Sequence, residues 1–314
     1  MIAFIIRRLL QTVIVLIMVS LIVFSILQVL PGDPARTLLG PEASPEQVEQ
    51  IREELGLNRS LPVQYFTWVG HAIQGDLGKS IAFREDVTGI IGEHLPKTIY
   101  ISILSMVLAI IIGVPAGIIA AIKRGGKIDS LISVVANFGM AVPAFWLAVL
   151  CIYFFSLKLG WFPVQGYTSP FEDLWLSTQQ VIMPVICLAF AALASFARQT
   201  RSAMLEVIMQ DFTRTARSKG LKEGTIIIKH TLKNAIIPVI TLVGLQVRNI
   251  VGSTIFIEQV FNIPGMGRLV VQSIFNQDFV VVQGCVLVIA IIVALTNLLI
   301  DISYGYADPR IRIK

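Results

Sequence analysis

Charge is scarce in this chain. Only 14% of its 314 residues are Asp, Glu, Lys or Arg, whereas a soluble domain carries about 25%. The deficit is concentrated in long stretches with no charge at all, which excludes a large soluble domain and indicates membrane spans. Cysteine and histidine are scarcer still, at three each. Cys151, Cys187 and Cys285 fall in or beside apolar runs, and His71, His94 and His230 form no spaced cluster. Neither a disulfide framework nor a metal site is indicated. The chain has no Gly-x-x-x-x-Gly-Lys-Ser/Thr phosphate loop, no His-Glu-x-x-His and no paired carboxylates, so nothing marks an ATPase or hydrolase centre. Acids are missing from the apolar runs, apart from Asp301 near the end of the last. That absence argues against an ion-driven secondary carrier, which couples through intramembrane carboxylates.

What is present is apolar: 55% hydrophobic residues and a mean hydropathy of +0.78. Six runs reach or approach the roughly 20 residues that cross a bilayer as a helix. They are 9–30, 98–122, 131–157, 181–197, 236–257 and 280–300. The first follows Arg7 and Arg8, is too long for a signal peptide and ends in a poor cleavage site, so it reads as a retained helix. Gly113, Pro115 and Gly117 lie in the second run, Asn137 and Pro143 in the third. Small residues permit close helix contact and proline bends a helix, so both packing and hinge roles are open.

Arg248 sits near the middle of the fifth run, with Gln246, Asn249, Ser253 and Thr254 around it. A charge at that depth costs roughly 2.5–3.5 kcal/mol on insertion scales, so this face should meet helices or water rather than lipid. One reading makes Arg248, Gln246, Asn249 and Asn137 part of a translocation pathway. The other makes Arg248 a buried arginine held by carbonyls or by another subunit.

Six spans place both termini on one side. That side would carry sixteen Lys and Arg, eight of them between Arg198 and Lys233, against eight on the other. Ten Asp and Glu fall between Asp33 and Glu93. Both termini are therefore expected to be cytoplasmic, and the net charge of +5 reflects topology rather than nucleic-acid binding. The expected partition is a first helix within 1–30, an external loop domain over 31–97, a membrane core over 98–302 with an inside loop at 198–235, and a tail over 303–314. The outside segment opens on the turn cluster Pro31-Gly32-Asp33-Pro34. Ser44-Pro45-Glu46, followed by Ile51 and Leu55, predicts a capped amphipathic helix ended by Gly56.

The inside segment runs from Asp211 through Arg214, Ala216, Arg217, Lys219, Gly220, Leu221 and Glu223. It reads as helix, tight turn, helix, with Gly220 at the left-handed position that ends the first helix. A plain topology loop would explain its charge. The small residues Ala216 and Gly220, four apart, instead favour close approach of another protein.

Arg214, Ala216-Arg217, Lys219-Gly220-Leu221, His230 and Lys233-Asn234-Ala235-Ile236-Ile237-Pro238 together resemble the coupling loop of ABC importer permeases, in the peptide/nickel branch. The glutamate of the general motif is absent, and Arg214-Thr215 stands in its neighbourhood. The resemblance extends through Leu30-Pro31-Gly32-Asp33-Pro34, Gly75-Asp76-Leu77-Gly78-Lys79-Ser80, Pro143-Ala144-Phe145-Trp146-Leu147, the stretch from Glu258 to Leu269, and Asp308-Pro309-Arg310. It implies an all-α integral membrane protein with six transmembrane helices, the type I ABC importer permease fold and a small external loop domain. It further implies a bacterial or archaeal inner membrane and a second homologous permease subunit. Two ABC ATPase subunits would hold the ATP and Mg, and an external substrate-binding protein would face Glu258, Phe261, Pro264, Gly265 and Gly267. Substrates of the family include di- and oligopeptides, glutathione, nickel and metal chelates. The absence of a His- or Cys-lined path favours peptides.

Overall fold

The computed structural model describes residues 2–29, 39, 43–54 and 56–307. Among these every regular element is a helix, with one isolated antiparallel bridge between Lys79 and Asp86. In order they are α1 (Ile2–Val29), α2 (Pro45–Glu54), α3 (Leu61–Ile73), α4 (Val87–Ile122), α5 (Lys127–Ala141), α6 (Ala144–Cys151), α7 (Leu174–Ile208), α8 (Asp211–Ser218), α9 (Lys233–Val260), α10 (Met266–Phe275) and α11 (Phe279–Ala307). A π-helical stretch, Ile152–Lys158, continues α6, and another, Ile226–Leu232, leads into α9. The turn cluster expected at Pro31-Gly32-Asp33-Pro34 and the family-like stretch Asp308-Pro309-Arg310 lie outside the described residues.

Five helices, α1, α4, α7, α9 and α11, are long and apolar enough to cross a membrane. The remaining span, expected as one run over 131–157, is two helices meeting at 103°. The break has a local cause. Pro143 offers no N–H and disfavours helical geometry at the residue before it. Val142 accordingly adopts φ −84°, ψ 123°. The fourth span is longer than its apolar run of 181–197. Asp173 caps its start by accepting from the Trp175 and Leu176 N–H groups at 3.0 Å, and the helix continues past Arg198 to Ile208. Ser44 and Gln47 form the expected reciprocal cap of α2, and Gly56 follows it at φ +66°.

The described residues fall into two compact units. One takes residues up to Arg8, Ile99–Ile263 and those from Thr296 on; the other takes Leu9–Thr98 and Pro264–Leu295. The second unit thus joins 264–295 and most of α1 to the described part of 31–97.

In the first unit α7 is the central post. Within its most apolar window 61% of residues are buried inside the chain, against 6% for α1, so α7 meets helices where α1 meets the surroundings. Gly113 and Gly117 of α4 lie against the α7 backbone at Leu193 and Ala197. On α5, Gly139 lies against Ala194 and Phe190. These are small-residue contacts of the kind that hold helices together in lipid, where apolar transfer supplies no drive. Around them Ala109, Phe196, Val239 and Ile250 form one core, and Ala121, Met204 and Ala235 another.

The second unit packs Leu77, Val87, Ile91, Met266, Leu269 and Val281. Its buried carboxylate, Asp278, accepts from Ser80 Oγ at 2.5 Å, from the Ala82 N–H at 3.0 Å and from the Val281 N–H at 3.4 Å. A fully buried acid thus ties the Gly75–Ser80 motif to the start of α11.

Candidate functional site

The elbow over 211–224 is built as the sequence predicts, by a short helix and a left-handed glycine. α8 ends at Ser218, Gly220 takes φ +76°, and the Gly220 and Leu221 N–H groups return to the carbonyls of Arg217 and Ala216 at 2.9 and 3.4 Å. A side chain at Gly220 would meet nothing within 4 Å. The glycine is therefore required by backbone geometry and not by crowding in this chain. Arg217 clasps Glu223 across the turn, with Nη2 to Oε1 at 2.5 Å and Nε to Oε2 at 3.2 Å. That hydrogen bonding lowers the Glu223 carboxyl below its ordinary value and raises Arg217.

One face of α8 is anchored inward. Thr213 and Ala216 are buried, and Thr213 Oγ1 donates to the Val207 carbonyl at 3.1 Å. Ala216 is thus unavailable for the close approach to a partner expected of it, because it packs within the chain. The exposed face presents Asp211, Arg214, Arg217, Lys219, Gly220, Leu221 and Glu223. It also presents Phe212, at 39% exposure, which sequence reasoning passed over although it stands alone among polar neighbours.

The elbow follows directly from the end of α7, and α7 is clamped at that end. Arg201 gives a bidentate contact to Asp129 of α5, with Nε to Oδ1 at 2.6 Å and Nη2 to Oδ2 at 2.8 Å. Asp129 is 5% exposed and also accepts from the Gly125 N–H at 2.9 Å. A buried, satisfied bidentate pair of this kind fixes one register between two helices. The sequence reading missed it. The signal was an acid inside a cluster of bases at the edge of an apolar run. Beside the pair is a cleft of 290 Å³ lined by Ser133, Asn137, Arg198 and Ser202 among others. The expected pathway residue Asn137 lines this cleft, and Arg248 is not among its lining residues.

Arg248 and Asn249 lie exposed on α9, and Gln246 is buried. Asn249 Nδ2 lies 3.5 Å from Gln246 Oε1. Arg248 has no hydrogen-bond or ion-pair partner among the described residues, so the reading of a buried arginine held by its own chain's carbonyls is set aside.

The residues expected to face a binding protein are mostly buried in this chain. Glu258 is 0% and Phe261 1% exposed, Gly265 and Gly267 are also buried, and Pro264 is half-buried. They shape the loop from within. The Ile263 N–H returns to the Glu258 carbonyl at 2.9 Å while Asn262 takes φ +55°, and the Met266 N–H donates to Thr98 Oγ1 at 2.8 Å. Gln259 and Gln272 are exposed nearby in the chain. Among the described residues no group of three His, Cys, Asp or Glu could hold a metal ion.

Residues 113–313 match the family model described as "binding-protein-dependent transport system inner membrane component". Residues 1–102 match that of the N-terminal part of such membrane components. A probable peptide ABC transporter permease of Sinorhizobium fredii is 39% identical over 98% of this chain and 99% of its own length. A dipeptide transport system permease of Alkalihalophilus pseudofirmus is 40% identical over 99% of this chain and 100% of its own length. Among solved structures, an inward-facing conformation of the MetNI methionine ABC transporter superposes with a TM-score of 0.59. It is 19% identical, and the match covers 70% of this chain and 96% of that one. That likeness concerns the fold alone. With family models matching nearly its whole length and relatives near 40% identity over all of it, the chain belongs to the family of binding-protein-dependent transport system inner membrane components.

Proposed function

We propose that this chain is one of two permease subunits of an ATP-driven peptide importer. It would form half of the translocation pathway and take its energy from separate ATPase subunits, which hold the ATP and Mg. The observation that carries this reading is the exposed elbow ending in Gly220, anchored by Thr213 and Ala216 and continuous with α7. A partner that displaces the elbow acts on the most buried helix of the bundle. The Asp129–Arg201 clamp passes that displacement to α5. A rigid lever joined to packed helices is what converts closure of a motor into tilting of spans. The excess of basic residues on the elbow and over 123–127 supports a cytoplasmic position for it and for both termini. The substrate-binding protein then docks on the opposite side, where Gln259 is exposed. Peptide is the substrate named for the relatives in Sinorhizobium and Alkalihalophilus.

The test is purification from its native membrane and reconstitution with ATPase, second permease and binding-protein subunits. The chain should co-purify with an ATPase, and vesicles holding the complex should accumulate a radiolabelled di- or oligopeptide only with ATP and binding protein. Uptake driven by an ion gradient without ATP would refute the assignment. ATP-driven uptake of nickel, a metal chelate or glutathione in place of peptide would retain the importer and change the substrate.

A further inference from the structure

The exposed face of α9 carries more than a stray charge. Leu245, Arg248, Asn249, Gly252 and Phe256 follow the i, i+3, i+4 rhythm of one helix stripe, and all are exposed. Phe256 is 57% exposed and pairs with Phe145 of α6, itself 46% exposed, at a ring-centroid distance of 6.1 Å. Between the aromatic pair and Arg248, Gly252 borders open space. From Phe256 to Arg248 the stripe is therefore apolar, then open, then cationic, with the apolar Leu245 beyond. Arg248 lacks a partner among the described residues. The nearest acid along α9, Glu258, is fully buried and ten residues away, about 15 Å along the axis. An unpaired arginine does not face hydrocarbon. The described spans of this chain carry acids only at their ends, so none of its own carboxylates lies at this depth.

The geometry points to a subsite for a short peptide on this stripe: Arg248 receives the C-terminal carboxylate, Asn249 meets the neighbouring amide, and Phe145 and Phe256 take apolar side chains. The eight helical steps from Arg248 to Phe256 rise about 12 Å, the length of three to four residues of extended chain. A guanidinium suits a carboxylate because it holds a full positive charge and several N–H donors. This inference rests on the peptide-importer reading and adds recognition of the free C-terminus by the permease itself.

The test compares import of one tripeptide as free acid and as C-terminal amide by the full complex in vesicles. Wild type, Arg248→Gln and Arg248→Lys are measured, and the affinity of the binding protein for both peptides is determined separately. Binding-protein preference is common to all three, so a change in the acid-to-amide ratio belongs to Arg248. Wild type should favour the acid beyond the binding protein's own preference. Arg248→Gln should cut acid import about tenfold or more, the size a charge-assisted hydrogen bond carries, and leave amide import nearly unchanged. Arg248→Lys should keep most of the preference. An unchanged ratio in Arg248→Gln, or equal loss of both peptides, overturns the subsite and makes Arg248 a contact to the second permease. If Arg248→Gln does not assemble, Arg248→Lys decides: loss of preference despite its charge contradicts a carboxylate site that needs only a cation. Absence of ATP-dependent import of either peptide by wild type would instead sink the importer reading beneath it.

Discussion

Gly117→Leu is expected to abolish accumulation of the folded chain in the membrane, and Gly117→Ala to lower its thermal midpoint in detergent. A Cβ at Gly117 would lie 2.5 Å from the Ala197 carbonyl oxygen and 2.7 Å from Thr200 Cβ; one at Gly113 would lie 2.6 Å from the Leu193 carbonyl oxygen. The obstacles are backbone atoms of α7, which cannot rotate aside. The helices must separate, and separation strips contacts from Phe196 and Ala109 in the same core. Overpacking by a single methyl costs roughly 1–3 kcal/mol. Leucine adds three further heavy atoms in a seam with no space. In lipid there is no compensating gain, because the separated faces simply meet acyl chains. Gly92→Ala is the control, since Gly92 borders open space and should leave the midpoint unchanged. Gly117→Ala with wild-type stability would show that α4 and α7 are not in backbone contact.

Gly220→Val should leave the chain at normal levels in the membrane and reduce ATP-driven uptake more than tenfold. Valine is strained in the left-handed region, where a side chain costs roughly 1–2 kcal/mol and a β-branched one more. The residue is exposed and touches nothing, so the strain is relieved locally by reorienting the turn between α8 and Glu223, not by unfolding the bundle. On the proposed reading the lever then meets its ATPase in the wrong direction, so hydrolysis should continue while transport falls. Gly220→Asn separates geometry from size, because asparagine tolerates this conformation, and uptake should largely persist. Measuring hydrolysis and uptake on the same vesicles reads both. Equal, unimpaired coupling in Gly220→Val would show that the elbow's turn is irrelevant to energy transfer.

The spans were legible because lipid imposes length and silence of charge on any helix crossing it, and the runs containing Leu9, Ile101, Val239 and Val281 state both. Gly220 was legible because a helix ending after bases needs a left-handed residue. Pro143 was visible, but its 103° bend depends on how α5 and α6 each pack against α7, which no local pattern states. The Asp129–Arg201 pair joins residues 72 apart, and Ser80 with Asp278 joins residues 198 apart. A single sequence offers no means of pairing them. Glu258, Phe261 and Gly265, expected to face a binding protein, are buried within the chain. Polar and glycine-rich stretches look alike whether they face a partner or fold a turn from within.

The elbow's service as the ATPase dock is tested most directly at Lys219. In a chain whose Cys151, Cys187 and Cys285 are replaced by alanine, Lys219→Cys should react with a membrane-impermeant maleimide only in inside-out vesicles. That reaction should be suppressed when the ATPase subunits are bound. Labelling of Lys219→Cys in intact cells, or equal labelling in inside-out vesicles with and without the ATPase, would contradict the account.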